Sequence, residues 1–322
     1  LATGARERFL PFPGWTLPGV TGAAGLQALA KSGLAIAGKS VVVAGSGPLL
    51  LAVAAYYRSR GASVPLIAEQ APRASLLRFA GRLLRYPGKA WQALGLRRAL
   101  GATPYRTSCW PIGATADGGA LRVRLLDGGR QVTQVCDYLA CGFGLVPNVD
   151  VAALLGCEID AGRVRVDNLQ RTREPRVWAA GEITGIGGVD LAIVEGQIAG
   201  LAASGQERMA RGLFRRRDRA SRFAAALEAA FSLRPELREL PRNDTLVCRC
   251  EDVCHAALAA CSDARDAKLQ TRQGMGSCQG RVCGPATQFL FDWQPGTVRP
   301  PLTPVAVEVL AAAGPAPSGP IA

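Results

Sequence analysis

The stretch Ser40-Val-Val-Val-Ala-Gly-Ser-Gly-Pro48 decides the fold, because an apolar strand runs directly into a tight glycine turn. Residues 49–60 follow with a helical pattern, and residues 64–68 form a second apolar strand that ends at Glu69. A strand, a helix and a second strand in this order form a βαβ unit, which favours a parallel sheet with right-handed crossovers. The sequence therefore predicts an α/β protein.

The turn at 45–48 stands where such folds bind a dinucleotide. Its candidate residues are Gly45, Ser46, Gly47 and Pro48. Glu69, at the end of the next strand, is the candidate for the ribose 2′-hydroxyl, and an acid there favours NAD over NADP. Leu50 replaces the third glycine of the usual pattern, and the proline removes one N–H donor. Three interpretations stay open: a weak NAD(P) site, a site for a different nucleotide, and a fold that binds no ligand here.

The other elements continue the α/β pattern. We expect strands at 121–126, 131–135, 139–143 and 177–180, and helices at 23–32, 73–100 (broken at Pro87-Gly88), 190–203 and 206–231. The strands at 121–126 and 131–135 are joined by an Asp-Gly-Gly turn, which is typical of a hairpin.

Composition indicates a globular protein and excludes several classes. The 322 residues are 48% hydrophobic and 20% charged, which is too apolar for disorder and allows two or three domains. The longest apolar stretch, 41–57, contains two glycines and a proline, so it fits strand, turn and helix better than a membrane span. The net charge is +13. No nucleic-acid-binding fold or aromatic platform accompanies that charge, so no nucleic-acid partner is expected.

One dense basic run lies at 208–222. Its members are Arg208, Arg211, Arg215, Arg216, Arg217, Arg219 and Arg222. We favour a solvated helix face as its explanation. The alternative is a docking surface for an acidic partner subunit or for a membrane.

Four of the ten cysteines form the pattern C-x-C-x27-C-x4-C, at Cys248, Cys250, Cys278 and Cys283. Two close pairs in a chain without a secretory signal predict a metal site in a reducing compartment rather than a disulfide framework. Zinc and iron–sulfur clusters both use four cysteines. Because C-x-C is shorter than the usual zinc spacing, we favour a 2Fe–2S cluster with the C-x-C pair on one iron. A zinc mini-domain and buried free thiols remain as alternatives.

The segments 247–253 and 274–285, Val-Cys-Arg-Cys-Glu-Asp-Val and Gly-Met-Gly-Ser-Cys-Gln-Gly-Arg-Val-Cys-Gly-Pro, resemble a bacterioferritin-associated-ferredoxin-like 2Fe–2S domain. The version they resemble ends the small flavoprotein subunits of opine oxidases, D-hydroxyproline and related amino-acid dehydrogenases, and hydrogen cyanide synthase. The resemblance implies a 2Fe–2S cluster on the four cysteines and a heteromeric enzyme.

Three further segments resemble FAD-binding motifs of pyridine nucleotide-disulfide oxidoreductases. They are Ala2-Thr3-Gly4, the segment Gly142-Phe-Gly-Leu-Val-Pro-Asn148, and the late motif that runs from Thr172 to Thr184. The resemblance implies Rossmann-type FAD and NAD(P) domains with Ala2, Thr3, Gly4, Gly181, Glu182 and Thr184 near FAD. An apolar strand would deliver the glycine so that the backbone approaches the cofactor, and the acid after it would bind the ribityl hydroxyls. Glu182 stands where the family usually has Asp.

These resemblances imply a division of the chain. The expected parts are 1–38 (remnant of an FAD-binding domain), 39–135 (inserted NAD(P)-like Rossmann domain), 136–205 (return of the FAD-binding domain), 206–243 (basic helix and linker), 244–294 (small α-rich 2Fe–2S domain) and 295–322 (Pro/Ala-rich tail). We expect an N-terminally truncated chain, because the family's first FAD fingerprint would precede Leu1, and its retention of FAD is then an open question.

The resulting hypothesis is an electron-transfer subunit of an FAD-dependent dehydrogenase acting on C–N bonds. A catalytic, amino-acid-oxidase-like flavoprotein subunit would be its partner, and no catalytic residue is assigned to this chain. The alternatives are a stand-alone NAD(P)H-dependent flavin and 2Fe–2S reductase and a non-enzymatic iron–sulfur module. We expect a cytoplasmic protein, with the inner face of the membrane as a second location if the 208–222 helix binds it.

Overall fold

A five-stranded parallel sheet organises the first half of the computed structural model, which describes residues 1–294, 296 and 298–312. The strands are β1 (Ala5–Glu7), β2 (Val20–Gly22), β3 (Val41–Gly45), β4 (Ile67–Glu69), β5 (Tyr105–Thr107), β6 (Cys109–Asp117), β7 (Ala120–Asp127), β8 (Arg130–Cys136), β9 (Tyr138–Gly142), β10 (Leu145–Pro147), β11 (Ile159–Asp160), β12 (Arg163–Val164), β13 (Leu246–Cys248) and β14 (Val253–Cys254). The sheet has the order β2-β9-β3-β4-β5, and all of its neighbours are parallel.

The helices alternate with these strands, as the α/β prediction requires. They are α1 (Ala23–Lys31), α2 (Leu49–Ser59), α3 (Arg73–Leu83), α4 (Pro87–Leu100), α5 (Asp150–Leu154), α6 (Val189–Ala203), α7 (Glu207–Gly212), α8 (Phe214–Ala230), α9 (His255–Ala259), α10 (Ala264–Thr271), α11 (Cys283–Phe291) and α12 (Val307–Ala312). Short 3₁₀ helices lie at Gly181–Thr184 and Pro235–Glu239.

The central strand β3 is buried along its whole length, which explains its unbroken apolar sequence. It pairs with β4 on one side and with β9 on the other. The predicted second strand at 64–68 starts later, at Ile67. Pro65 accounts for the delay, because a proline cannot donate a ladder hydrogen bond.

The turn after β3 needs glycine at its first position. Gly45 has a φ of +142°, and a Cβ built on it would lie 2.0 Å from the carbonyl oxygen of Gly142. Leu50, in the place of the usual third glycine, is fully buried and belongs to the core between α1, α2 and the sheet. Its side chain reaches toward Gly142, which has no side chain of its own. The bulky leucine therefore fits without forcing α2 away from the sheet.

An antiparallel sheet of β6, β7 and β8 packs beside the parallel sheet. The hairpin between β7 and β8 turns at Gly128 and Gly129, both of which have positive φ, as the sequence predicts. The five-stranded sheet contains β2, which precedes residue 39, and β9, which follows residue 135. The expected segment borders at 39 and 135 therefore do not mark the limits of this sheet. The division into domains stays a prediction.

Three further expected elements differ from the structure. The 73–100 helix breaks at residues 84–86, and Pro87 begins α4, because proline suits the first turn of a helix. The 206–231 helix is divided into α7 and α8 after Gly212, a poor helix former. Residues 177–180 are extended but form only one bridge, between Trp178 and Arg171, so the predicted strand is absent from the described residues.

The last described part is small and mainly helical. Its core contains Val247, Leu258 and Trp293 together with two of the four patterned cysteines. Of the predicted tail at 295–322, residues 295, 297 and 313–322 lie outside the described residues. No described helix has both the length and the apolarity needed to cross a bilayer.

Candidate functional site

The three segments predicted to contact a flavin meet at one place. The side chain of Thr3 donates to the carbonyl of Asn148, whose Nδ2 donates to the carbonyl of Thr3 at 3.0 Å. The Asn148 amide donates to the carbonyl of Gly4 at 2.9 Å, and the Ala180 amide to that of Leu1 at 3.0 Å. The Ala2-Thr3-Gly4 segment thus lies between the 142–148 segment and the late motif.

The late motif ends in the 3₁₀ turn Gly181–Thr184. Gly181 has a φ of +82°, and Glu182 Oε1 accepts the Gly188 amide at 3.0 Å. Glu182 Oε2 is buried and has no hydrogen-bond partner among the described residues. A buried carboxylate oxygen of this kind is expected to meet a donor. The residues present therefore fit the hydroxyl groups of an FAD ribityl chain, with Glu182 as the acceptor.

A buried acid that the sequence analysis missed supports this turn. Glu195 on α6 is 8% exposed, and its Oε2 accepts from the Gly181 amide at 2.8 Å and from Thr184 Oγ1 at 2.9 Å. Burial raises the pKa of Glu195, and these two hydrogen bonds oppose the rise. The helical spacing in the sequence indicates that Glu195 is buried, because it lies on the same helix face as the buried Leu191 and Ile198.

The four patterned cysteines come together in the C-terminal part. Cys248 ends β13 and Cys283 begins α11, and both are buried, while Cys278 is half-buried and Cys250 is exposed. A hydrogen bond from Cys283, followed by backbone donors that include the Gly274 amide, lowers the pKa of Cys248. Side-chain hydrogen bonds link Cys248 with Cys283 and Cys250 with Cys278, so each link joins one cysteine of the C-x-C pair to one of the C-x4-C pair. The binding of one iron by the C-x-C pair stays a prediction.

The loops that carry the cysteines approach each other closely. A Cβ built on Gly276 would lie 2.2 Å from the Cβ of Cys250, so this position has no room for a side chain. The Cys278 amide donates to Cys250 and lowers the pKa of its thiol, and Ser277 Oγ lies 3.7 Å from the same sulfur. Four thiols, of which Cys248 and Cys250 accept from backbone N–H groups, fit a sulfur-rich cluster, because such donors tune its potential.

The described residues contain no group of three or more His, Cys, Asp or Glu side chains arranged to hold one metal ion. Four thiolates are a donor set that both a 2Fe–2S cluster and a tetrahedral zinc ion use. The choice of the 2Fe–2S cluster over zinc stays a prediction from the sequence.

The cysteine-bearing part is joined directly to the flavin-facing segments. Arg6 donates from Nε to the carbonyl of Arg281 at 3.2 Å and from its guanidinium to Asn148 Oδ1 at 2.8 Å. Arg281 also lies 3.7 Å from Asp150. Burial lowers the pKa of Arg6, the nearby Arg281 lowers it further, and Asp150 raises it. Arg281 stands between Cys278 and Cys283, so this junction brings both predicted cofactor sites together.

The Glu69 carboxylate, the predicted partner of a ribose hydroxyl, accepts hydrogen bonds from the backbone of this chain. Glu69 is fully buried, and its carboxylate accepts from the Gly47 amide and from the Ala71 amide, both at 2.8 Å. Burial raises the pKa of Glu69 to about 7, and these hydrogen bonds oppose the rise. A hydrogen bond between Glu69 and a ribose hydroxyl stays a prediction. Its formation would require the carboxylate to give up the hydrogen bonds from the Gly47 and Ala71 amides.

The arginines of the basic run are exposed, apart from the half-buried Arg217. Arg217 pairs with the neighbouring Asp218 at 2.8 Å and donates to the carbonyl of Asn168 at 3.0 Å. Contact of this run with a partner subunit or a membrane stays a prediction.

Comparison with known proteins agrees with this geometry. The family model described as pyridine nucleotide-disulphide oxidoreductase matches residues 1–200. Hydrogen cyanide synthase subunit HcnB of Pseudomonas aeruginosa is 33% identical over 88% of this chain and 67% of its own length. An opine oxidase subunit of Rhizobium meliloti is 34% identical over 95% of this chain and 74% of its own length. Rhodocoxin reductase of Rhodococcus erythropolis is 36% identical over 56% of this chain and 40% of its own length.

Proposed function

Because the chain belongs to the pyridine nucleotide-disulphide oxidoreductase family and is an FAD-dependent oxidoreductase, we propose that it is the electron-transfer subunit of a heteromeric dehydrogenase. The substrate class is an amino acid, an opine or a similar compound oxidised at a C–N bond. FAD supplies two-electron acceptance when bound, and a 2Fe–2S cluster on the four cysteines supplies single-electron transfer. The catalytic partner is an amino-acid-oxidase-like flavoprotein subunit.

The Arg6 junction is the observation that supports this proposal most. One side chain contacts both the Asn148 segment, beside the proposed FAD site, and the carbonyl of Arg281 between two of the cysteines. Such a contact holds the two sites at a fixed separation within one chain. An electron-transfer subunit needs this arrangement, whereas an iron–sulfur module that acts without flavin does not.

The relatives support the substrate class and the partner. The names of the two long matches describe subunits of hydrogen cyanide synthase and of opine oxidase. Among the described residues that surround the proposed FAD and cluster sites, we assign no general base for substrate oxidation. Substrate oxidation therefore belongs to the partner, and this chain receives the electrons.

Metal and sulfide analysis tests the cluster. The chain is purified anaerobically, and we expect about two irons and two acid-labile sulfides per chain, with a paramagnetic signal after reduction by dithionite. Cys248→Ser and Cys283→Ser should lose iron and signal. Cys261→Ser is the matched control, because Cys261 lies outside the pattern and donates to the Ala257 carbonyl. Zinc without sulfide would contradict the cluster and leave a structural zinc module.

Substrate reduction tests the assignment of roles. The chain loaded with FAD, without a partner, should show no bleaching of flavin absorbance with glycine, octopine or D-hydroxyproline, since we place the oxidation site on the partner. Bleaching of the isolated chain by one of these compounds would place a substrate site on this chain and overturn the division of labour.

A further inference from the structure

The crevice at the carboxyl ends of β3, β4 and β9 contains a segment of the chain itself. Open α/β sheets bind their ligands in this position. Here Ser46 Oγ donates to the carbonyl of Phe231 at 2.8 Å, and Gln70 Nε2 donates to that of Ser232 at 3.1 Å. The Arg234 amide in turn donates to Gln70 Oε1 at 3.1 Å. Residues 231–234, the start of the linker after α8, therefore lie where a dinucleotide would lie.

The backbone N–H groups at the first positions of the glycine turn are already engaged. The Ser46 amide donates to the carbonyl of Gly142 at 2.7 Å, and the Gly47 amide donates to Glu69. Pro48 has no N–H. Binding of a pyrophosphate at such a turn depends on free backbone donors. The Glu69 carboxylate adds an acidic group at the point where the anion would bind.

Side-chain contacts hold residues 231–234 in place at both ends of the segment. The ring of Phe231 lies 5.7 Å from that of Phe79 on α3. The guanidinium of Arg234 lies 4.9 Å from the ring of Trp110 and donates to Ser108 Oγ at 3.4 Å. Leu237, a few residues further, is fully buried in the main core. Removal of the segment from the crevice would break the contacts of Phe231 and Arg234, so the segment is an integral part of the fold.

We propose that residues 231–234 are a built-in occupant of the nucleotide crevice, and that the 45–48 turn and Gln70 dock the linker rather than NAD(P). The crevice thereby anchors the connection between the α/β core and the cysteine-bearing part. Electrons enter this chain from a partner and not from a nicotinamide. This inference does not depend on the cluster, so either can fail without the other.

A binding experiment on the full wild-type chain tests the closed crevice. NADH, NADPH and ADP-ribose are titrated by calorimetry and by NADH fluorescence. We expect no saturable binding up to about 1 mM, the upper end of usual enzyme KM values. Saturable binding of any of the three below that concentration would overturn the proposal.

Hydrogen exchange tests the docking role independently. The Arg234 amide should be protected in the wild-type chain, and Gln70→Ala should speed its exchange about tenfold, since the substitution removes the side-chain oxygen that accepts from it. Gln131→Ala, which changes an exposed glutamine on β8, should leave the exchange unchanged. Rapid exchange of this amide in the wild-type chain, or equal exchange in Gln70→Ala and the wild type, would overturn the docking role.

Discussion

Substitution of Glu195 by alanine is the sharpest test of how the proposed flavin turn is held. The change removes the acceptor of two hydrogen bonds, from the Gly181 amide and from Thr184 Oγ1. A buried donor left without a partner costs about 1–3 kcal/mol. The desolvation of the lost carboxylate returns part of this cost, because burial already raises its pKa. We expect a net loss of about 2 kcal/mol of unfolding free energy.

Glu195→Gln separates the hydrogen bonds from the charge. Both donors use the same carboxylate oxygen, Oε2, so an amide with its oxygen in that position can accept both. We therefore expect Glu195→Gln to keep nearly all of the stability that the alanine variant loses.

Thermal unfolding and flavin titration are the assays. A loss of about 2 kcal/mol corresponds to a midpoint lower by about 3 °C in a chain of 322 residues. FAD affinity should fall with the alanine variant and not with the glutamine variant. Gln197→Ala, an exposed position of the same helix, is the control. Equal midpoints for Glu195→Ala and Glu195→Gln would refute the reasoning, because the two hydrogen bonds to the shared oxygen would then contribute nothing to stability.

Three further outcomes are expected. Gly276→Ala should lower the iron content to less than half, because its Cβ would fall 2.2 Å from that of Cys250. Arg6→Ala should speed amide exchange across residues 278–283 about tenfold, because it removes the charged hydrogen bonds of the junction. Unfolding free energy should fall as pH rises from about 4.5 to about 7 and then level, because the pKa of Glu69 is raised to about 7 in the folded chain while the unfolded chain ionises near 4.5.

Each of these outcomes has a matched comparison. Gly284→Ala meets nothing within 4 Å, so full iron content is expected there, and equal iron in both glycine variants would contradict the packing argument. Arg122→Ala removes an exposed pair with Asp117 and should not change exchange at 278–283. Glu69→Gln should flatten the stability profile between the two pH values. A profile that keeps its slope in Glu69→Gln would assign the effect to another group.

Local sequence patterns predict the α/β core well because its signals are local. Glycine at 45 is required by its own φ and by the nearby carbonyl of Gly142, and the apolar run before it is buried on both faces. The hairpin at 128–129 follows the same logic. The Ala2-Thr3-Gly4, 142–148 and late segments are brought together as the family resemblance implied.

The failures share a dependence on distant partners. Residues 177–180 look like a strand by composition, but their main-chain partners are Leu1 and residues 170–172, which do not continue into a ladder. Glu195 looks like a solvated acid until the turn it supports is placed beside it. The Ser46 contact with Phe231 spans 185 residues, and no periodicity or spacing rule encodes such a pair.

The separation of 185 residues between Ser46 and Phe231 affects the order of folding events during protein synthesis. The βαβ unit and its turn emerge from the ribosome long before residue 231 does, and domains begin to fold as they emerge. Closing a loop of this length carries an entropy cost that only later contacts offset, so crevice closure is a late and slow step. The cysteine-bearing part is translated after the linker. Closure of the crevice therefore waits until residues 231–234 have emerged, and before that point the 45–48 turn faces an open crevice.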